Sequence, residues 1–421
     1  MSSLRMPDPS LPSPPGPTAR DVAVEIIRTL RDSGHEAYLA GGCVRDELLG
    51  LPASDFDVAT DATPDRIRSL FRRTAAVGAS FGVILVKDAG HVIEVATFRA
   101  DGSYSDSRRP DSVRFSTPEE DAKRRDFTVN ALFLDPLQPP HSDARVIDFV
   151  GGLADLHARV LRAVGDPDRR LAEDHLRALR AARLAGRLDF RVDPATADAI
   201  RRHASELRGV SRERIGDELR TMHASTGRVR GIALMHDLAL DAAVLDEKPL
   251  SPSLDHVRRL PSDAPFPAML AALALDRATP LLPDSGLANR YRRSLCLSNE
   301  EHVDLSRILA HHAILRDQWL NLEMHAQKRI AADARFSWAL SLLAVRDPEL
   351  AARADARLAV LRSDGIGLAP PPLLTGDDLI ALGAKPGPLF KSILDDLYNA
   401  QLRGDLHDRP AAVELARRRI V

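Results

Sequence analysis

The chain has 421 residues, a formal net charge of −2, and 4% aromatic residues beside 44% hydrophobic ones. Such a length accommodates about two to four compact units, each with its own core. A net charge this close to zero excludes an overall basic field, so any contact with RNA must come from local patches. No apolar run is long enough to span a membrane. The two cysteines, Cys43 and Cys296, are far apart and in no metal-ligand spacing, which fits a reducing compartment without a structural zinc held by cysteines.

The N-terminal part is predicted to begin with a tail and a helix. Residues 1–17 are rich in proline and lack the pattern of a signal peptide, which predicts a disordered tail on a cytoplasmic protein. An amphipathic helix opened by Thr18 and Asp21 follows and ends at Gly34. The next predicted elements are a strand at 38–40, a glycine turn, a short helix at 44–49, a strand with two aspartates, and a helix from Thr63.

Two more strands are predicted at 81–86 and 91–98, joined by a tight turn at Ala89-Gly90. Together with the earlier strands they form a small sheet of about four or five strands covered by helices, which is an α+β arrangement. Residues 101–111 carry turn-forming residues without periodicity, which predicts a mobile loop that closes on substrate. Beyond about residue 160 the chain reads as helices with short turns.

Asp55 and Asp57 are the first candidates for a catalytic site. Alternate residues of a strand face the same side, so both carboxylates are predicted to lie close together. Like charges in that position repel unless a cation lies between them, and a divalent metal is the usual partner of oxygen ligands. Gly41 and Gly42 let backbone N–H groups approach an anion, and Arg45 adds a positive charge. An Asp-x-Asp pair is also common in exposed turns.

Glu94 is the candidate for a third carboxylate. Its neighbours Ile93 and Val95 face one side of the predicted strand and Glu94 faces the other. If this strand lies beside the strand with the two aspartates, Glu94 completes a cluster of three carboxylates. A glutamate that only faces solvent is the alternative.

Three motifs resemble those of class II tRNA nucleotidyltransferases and bacterial poly(A) polymerases. The first is Gly-Gly-x-Val-Arg-Asp-x-Leu-Leu-Gly at 41–50 followed by Asp55-x-Asp57. The second is Arg-Arg-Asp-Phe-Thr-x-Asn-Ala at 124–131, and the third is Glu-Asp-x-x-Arg-x-x-Arg at 173–180. The resemblance extends over about residues 36–225, and His175 stands where this family often has proline or alanine.

The resemblance implies an α+β fold with a small mixed-sheet, polymerase-beta-like nucleotidyltransferase head followed by an all-helical neck, body and tail. The segments are 18–160 for the head, 161–225 for a neck with a base-reading helix, 226–362 for the body and 363–421 for the tail. It also implies two-metal catalysis with Mg²⁺ held by Asp55 and Asp57. The residues it implies for nucleotide binding are Gly42, Arg45, Arg125, Asp174, Arg177, Arg180 and Arg183. For Arg180 and Arg183, a solvated basic stripe is the alternative.

Asp174 and Arg177 offer a chemical basis for choosing nucleotides. Aspartate only accepts hydrogen bonds and arginine only donates them, and residues three apart are neighbours on a helix. Cytosine and adenine present an amino donor beside an acceptor nitrogen, whereas uracil and guanine present the reverse. Each unpaired buried polar group costs about 1–3 kcal/mol, so two mismatches exclude UTP and GTP by roughly a hundredfold. An ordinary ion pair on a helix surface is the alternative.

These observations predict an enzyme that adds C and A from CTP and ATP to the 3′ end of tRNA without a template. A poly(A) polymerase, or an enzyme that adds only part of the CCA end, shares every head motif and is the nearest alternative. A non-catalytic RNA-binding protein is less favoured because the aspartate pair is intact. The predicted partners are the tRNA 3′ end, CTP and ATP, with no membrane and no predicted oligomeric state.

Overall fold

The computed structural model describes residues 16–53, 55–76, 82–101, 113–247, 253–278, 286–385 and 387–420. The chain divides into two compact units. The first contains residues 1–211 and 230–243, and the second contains residues 212–229 and 244–421. Among the described residues, no helix has both the length and the apolar surface needed to cross a membrane.

The strands all belong to the first unit and form one main sheet with two short ladders. They are β1 (Ala37–Ala40), β2 (Asp57–Thr60), β3 (Thr74–Ala76), β4 (Val83–Asp88), β5 (His91–Thr97), β6 (Arg99–Asp101), β7 (Val113–Phe115), β8 (Phe133–Leu134), β9 (Val146–Ile147), β10 (Val160–Leu161) and β11 (Arg191–Val192). The main sheet has seven strands in the order β3-β4-β5-β2-β1-β8-β9. Only β2 and β5 are parallel neighbours in it, so the sheet is mixed and the predicted α+β class is confirmed.

The helices up to residue 203 are α1 (Ala19–Asp32), α2 (Gly42–Leu48), α3 (Pro64–Leu70), α4 (Pro118–Lys123), α5 (Gly152–His157), α6 (Pro167–Glu173), α7 (Leu176–Leu188) and α8 (Pro194–His203). The later ones are α9 (Arg212–His223), α10 (Arg228–Asp237), α11 (Asp241–Leu245), α12 (Asp255–Arg259), α13 (Phe266–Arg277), α14 (Leu287–Leu295), α15 (Asn299–Asp317), α16 (Met324–Ala331), α17 (Phe336–Arg346), α18 (Pro348–Ser363), α19 (Gly376–Ala381), α20 (Pro388–Arg403) and α21 (Arg409–Ile420).

Local sequence signals located the starts of α1 and α3 and the hairpin of β4 and β5 correctly. Thr18 and Asp21 form the predicted capping box of α1, and the Thr63 hydroxyl caps α3. Ala89 and Gly90 both have positive φ, at 45° and 84°, which is the turn that joins β4 to β5. The predicted loop at 101–111 lies outside the described residues from 102 onward.

Two predictions about the fold are wrong. The sheet has seven strands rather than four or five, because β3, β8 and β9 have only two or three residues and show no alternating pattern. The helix predicted to run through Asp174 is broken there, with φ −151° and ψ 105°. Asp174 Oδ1 accepts the N–H of Leu176 at 3.1 Å, which is the competition with the helix backbone that favours aspartate at helix ends.

The core of the head lies under the strands that carry the site. Phe98 and Phe133 meet edge to face at 5.9 Å, and both are fully buried. The guanidinium carbon of Arg125 lies 5.1 Å from the centre of the Phe133 ring. The packed aromatic core therefore fixes the position of one of the predicted nucleotide-binding arginines.

The second unit is helical throughout its described residues and contains two apolar clusters. One joins α15 to α18 around Trp319 and Phe336, whose ring centres are 4.8 Å apart. The other joins α19, α20 and α21 around Leu379 and Leu397. A capping box formed by Ser298 and Glu301 begins α15.

Gly152 provides a test of the packing that holds the site. It begins α5, and a Cβ at this position would overlap the Thr128 carbonyl oxygen and lie 2.8 Å from its carbonyl carbon. Since the obstacle is backbone, Gly152→Ala must displace the turn at Thr128–Asn130, and we expect it to lower the free energy of unfolding by about 1–3 kcal/mol in urea denaturation. Gly209→Ala is the control, because nothing lies within 4 Å of its Cβ position. Equal stability of the two variants would contradict this account.

Candidate active site

A pocket of about 510 Å³ opens in the first unit beside the start of β2. Every predicted site residue except Glu94 lines it. The lining residues are Gly41, Gly42, Cys43, Arg45, Asp46, Asp55, Asp57, Arg124, Arg125, Asp126, Asn130, Asp174, Arg177, Arg180, Arg183, Leu184 and Arg187. Asp57 at the start of β2 and Asp55 just before it thus share one concave surface with a row of arginines from α7.

Asp57 is the first residue of β2, and Asp55 lies before the strand. The prediction that both belong to the strand is therefore wrong, although both line the pocket. Burial and the negative charges of Glu94 and Asp55 together raise the pKa of Asp57 to about 6, against the opposing effect of Arg125. Glu94 and Asp55 are therefore close enough to influence Asp57.

Glu94 lies on β5 directly opposite Asp57 in the parallel pairing of β2 with β5. Its predicted role required that the two strands are neighbours, and they are. Residues in register on neighbouring strands point to the same face of a sheet, so Glu94 lies on the same side as Asp57. It is exposed, whereas Asp57 is partly buried.

The residues around Asp57 fit a divalent cation. Carboxylate oxygens are the ligands that hard cations prefer, and Asp55 and Asp57 present them to the same pocket. The raised pKa of Asp57 reflects a negative charge that burial and two neighbouring carboxylates disfavour. A bound cation would remove that penalty, so the donor set and the electrostatics agree.

The glycine turn before α2 has a steric reason. Gly41 has φ +80°, and a Cβ there would lie 3.0 Å from Nη1 of Arg125. Arg125 in turn donates to Asp121 Oδ2 at 3.0 Å and to the carbonyl of Asn130 at 3.2 Å. The glycine thus allows the guanidinium to approach the backbone at the mouth of the pocket.

Arg45 is buried inside a network that joins α2 to α7. It is 3% exposed, donates to Asp46 Oδ1 at 2.7 and 2.8 Å, and donates to Asn130 Oδ1 at 2.5 Å. Asp46 Oδ2 accepts from Arg187 at 2.7 Å. Burial lowers the pKa of Arg45, and Asp46 counteracts this effect. The guanidinium of Arg45, which was predicted to bind the nucleotide, therefore forms hydrogen bonds within the wall of the pocket.

Asp126 and Asn130 extend this network. Asn130 Nδ2 donates to Asp126 Oδ1 at 3.1 Å, and Arg180 Nη2 lies 3.1 Å from Asp126 Oδ2. Asp126 and Asn130 are four apart but do not lie on one helix, because α4 ends at Lys123 and Asn130 belongs to the short 3-10 turn Thr128–Asn130. The contact itself forms and holds Arg180 at the pocket wall.

The Arg177 guanidinium is held in place by an ion pair with Glu173. Its Nη1 donates to Glu173 Oε2 at 2.8 Å and to the carbonyl of Arg170 at 2.7 Å. The predicted helical neighbours Asp174 and Arg177 are not on one helix, because α7 begins at Leu176. Both still line the pocket, as do Arg180 and Arg183.

Sequence reasoning missed three residues that organise the site: Asp46, Glu173 and Arg187. The spacing of four between Glu173 and Arg177 was a usable signal for their ion pair. The pair of Asp46 and Arg187 spans 141 residues of sequence and has no local signal.

The buried pair of Arg45 and Asp46 yields a prediction. Asp46→Ala leaves a buried guanidinium without its carboxylate, and we expect a loss of about 3–5 kcal/mol in unfolding free energy. The exposed pair of Asp198 and Arg201, at 2.8 Å, gives the control. Asp198→Ala should change stability by less than about 1 kcal/mol in the same urea titration. A loss for Asp46→Ala no larger than that of the control would show that Arg45 does not depend on Asp46.

Comparisons with known proteins match two segments of the chain to described families and most of the chain to solved structures. A family described as Poly A polymerase head domain matches residues 37–162, and one described as Probable RNA and SrmB- binding site of polymerase A matches residues 189–248. The crystal structure of a Bacillus stearothermophilus CCA-adding enzyme in complex with CTP has a TM-score of 0.75 at 28% identity. The superposition covers 94% of this chain and 96% of that one.

Curated relatives carry the same name. A CCA-adding enzyme of Limosilactobacillus fermentum is 33% identical over 399 residues, which is 93% of this chain and 94% of the relative. A CCA-adding enzyme of Levilactobacillus brevis is 45% identical over 204 residues, about half of each chain at 48% and 50%. The first of these matches extends over both compact units.

Proposed function

The chain belongs to the family of CCA-adding enzymes and is a CCA tRNA nucleotidyltransferase, and we propose that the pocket of its first unit binds CTP or ATP for transfer to the 3′ end of tRNA. The observation that carries this proposal is that Asp55 and Asp57 line the same pocket as Asp174 and a row of arginines from α7. We place this activity in the cytoplasm, in agreement with the cysteine content.

Asp55 and Asp57 are the proposed metal ligands, with Glu94 as the third carboxylate of the group. The family uses a divalent metal, and we propose Mg²⁺ because the donors are all oxygen atoms. When bound, Mg²⁺ lowers the pKa of the RNA 3′-hydroxyl and neutralises the leaving pyrophosphate. The electrostatic influence of Glu94 on Asp57 supports its inclusion.

The arginines are proposed to bind the nucleotide in two ways. Arg125, Arg180 and Arg183 face the pocket and are proposed to contact the triphosphate, close to the backbone of Gly42. Arg45 acts as a positioning residue, since its guanidinium is occupied by Asp46 and Asn130. It fixes the wall against which the nucleotide lies.

Asp174 and Arg177 are proposed to read the base edge. The break before α7 exposes Asp174 to the pocket, and Glu173 fixes the direction of the Arg177 guanidinium. An acceptor and a donor held in this way match the pairing edges of cytosine and adenine. The same pair opposes uracil and guanine.

Incubation with a tRNA that lacks its terminal CCA tests the function directly. We expect two C residues from CTP alone, one further A when ATP is added, and then termination. A run of A residues would instead indicate a poly(A) polymerase, and A alone after a CC end would indicate a partial-adding enzyme. Asp55→Ala is the control, and full incorporation by this variant would exclude the carboxylate mechanism.

A further inference from the structure

A second group of possible metal ligands lies outside the pocket but within the first unit. His175 is the residue before α7, His203 ends α8, and Glu206 lies in the 3-10 turn Ala204–Gly209. One ligand atom from each of the three lies within 4.8 Å of the other two. Glu206 Oε2 is 3.0 Å from Nδ1 of His175 and 2.7 Å from Nδ1 of His203.

His203 is oriented for ligation by a carboxylate on its far side. Its Nε2 lies 3.1 Å from Asp168 Oδ1, and Arg202 donates to both oxygens of Asp168 at 3.1 and 2.7 Å. The two hydrogen bonds from Arg202 hold the Asp168 carboxylate in place beside Nε2 of His203. A proton on Nε2 is then directed at Asp168, which leaves the lone pair of Nδ1 facing Glu206. Metal-bound histidines show the same arrangement, with the second nitrogen donating to a carboxylate.

His175 completes the group from the other side. Among the described residues its Nδ1 makes no hydrogen bond and is buried, although Glu206 Oε2 is 3.0 Å away. The rings of His175 and His203 are stacked, with centres 6.4 Å apart and planes inclined by 23°. The two Nδ1 atoms thus lie 3.0 and 2.7 Å from one carboxylate oxygen, Glu206 Oε2, and a cation among the three atoms would satisfy all of them.

We propose that His175, His203 and Glu206 form a binding site for a divalent transition-metal ion of the Zn²⁺ type. Two imidazole nitrogens and one carboxylate oxygen are a donor set that suits Zn²⁺, whereas Mg²⁺ prefers oxygen ligands alone. Water would fill the remaining coordination positions. The ion ties the segment between α6 and α7 to the end of α8, and so anchors the backbone next to Asp174.

Metal titration of the full chain tests the site. Binding of Zn²⁺, and of Co²⁺ as a spectroscopic probe, is measured with Mg²⁺ in excess, so that an oxygen-only site is already filled. We expect the wild type to bind one Zn²⁺ that Glu206→Gln and His175→Ala do not bind, and to show visible Co²⁺ bands that both variants lose. Asp168→Asn keeps the three ligands and should weaken Zn²⁺ binding by roughly 10- to 100-fold.

The controls separate a metal site from an ordinary charge cluster. His35 Nδ1 lies 3.1 Å from Asp61 Oδ1, the same distance as that between His203 Nε2 and Asp168 Oδ1. Among the described residues, neither His35 nor Asp61 belongs to a group of three possible ligands. His35→Gln should therefore bind Zn²⁺ like the wild type. Glu206 is 44% exposed, so Glu206→Gln should keep the circular dichroism spectrum and the urea midpoint. Equal Zn²⁺ binding by wild type and Glu206→Gln, or an equal loss in His35→Gln, would overturn the proposal in favour of an imidazolium shared by two carboxylates.

Discussion

Replacing Asp57 by asparagine is expected to abolish nucleotide addition and, in metal-free protein at neutral pH, to increase stability. The loss of activity follows from the loss of a proposed metal ligand, since metal stabilisation of the transition state supplies several kcal/mol. About 4 kcal/mol of that stabilisation corresponds to roughly a 10³-fold reduction in rate. The gain in stability has a separate cause, which is the burial of a negative charge beside Glu94 and Asp55.

The sign of the pH dependence follows from the pKa of Asp57. It rises from 3.8 to about 6 on folding, chiefly through burial, so the folded protein binds the proton more tightly than the unfolded chain. The stabilisation is complete below the unfolded pKa and is lost as the pH rises through the folded value. Above about pH 6 the folded state carries a penalty of order 3 kcal/mol, which Asp57→Asn removes.

Urea denaturation with a chelator, over the range from about pH 4 to pH 8, measures this effect. The wild type should lose stability across that range relative to Asp57→Asn, and Mg²⁺ should restore it only in the wild type. Asp88→Asn is the control, because Asp88 is exposed at the end of β4 in the same sheet. If the unfolding free energies of the wild type and Asp57→Asn changed in parallel with pH, burial would not disfavour the charged form of Asp57. Full activity of Asp57→Asn would contradict its role as a ligand.

The sequence could predict features that depend on local chemistry. The capping box of α1 and the Ala89-Gly90 turn involve residues three or fewer apart, where backbone geometry limits the choices. The two aspartates singled out by their motif, Asp55 and Asp57, both line the pocket. The predicted role of Glu94 required that its strand lies beside the strand of Asp57, and the parallel pairing of β2 with β5 meets this condition.

The remaining features depend on contacts that no local pattern encodes. Two-residue strands such as β8 exist only because neighbouring strands supply their hydrogen bonds. The pairing of Asp46 with Arg187 requires the folded relation of α2 to α7. The break at Asp174 is an intermediate case, because aspartate is a known helix-capping residue but sits in a segment of strong helix formers. A side-chain hydrogen bond decided the outcome there.

The structure also changes how base selection should be tested. Exchanging Asp174 and Arg177 would place a carboxylate at position 177, where Glu173 now lies 2.8 Å from the guanidinium. Two carboxylates would then repel, and the variant would fail for a reason unrelated to the base. Asp174→Asn avoids this problem, because asparagine has the same size and also caps a helix, so the bond to Leu176 is retained.

Asp174→Asn is expected to reduce discrimination against UTP and GTP by about ten- to a hundredfold. Its amide offers a donor as well as an acceptor, which removes one mismatch of about 1–3 kcal/mol. Single-turnover incorporation from each nucleotide separately gives the ratio. Arg169→Ala is the matched control, because Arg169 lies near the same Glu173 at 3.7 Å but is 83% exposed. If Asp174→Asn and the control both kept the wild-type preference for CTP and ATP, Asp174 would not select the base. Other residues of the pocket wall would then have to do so.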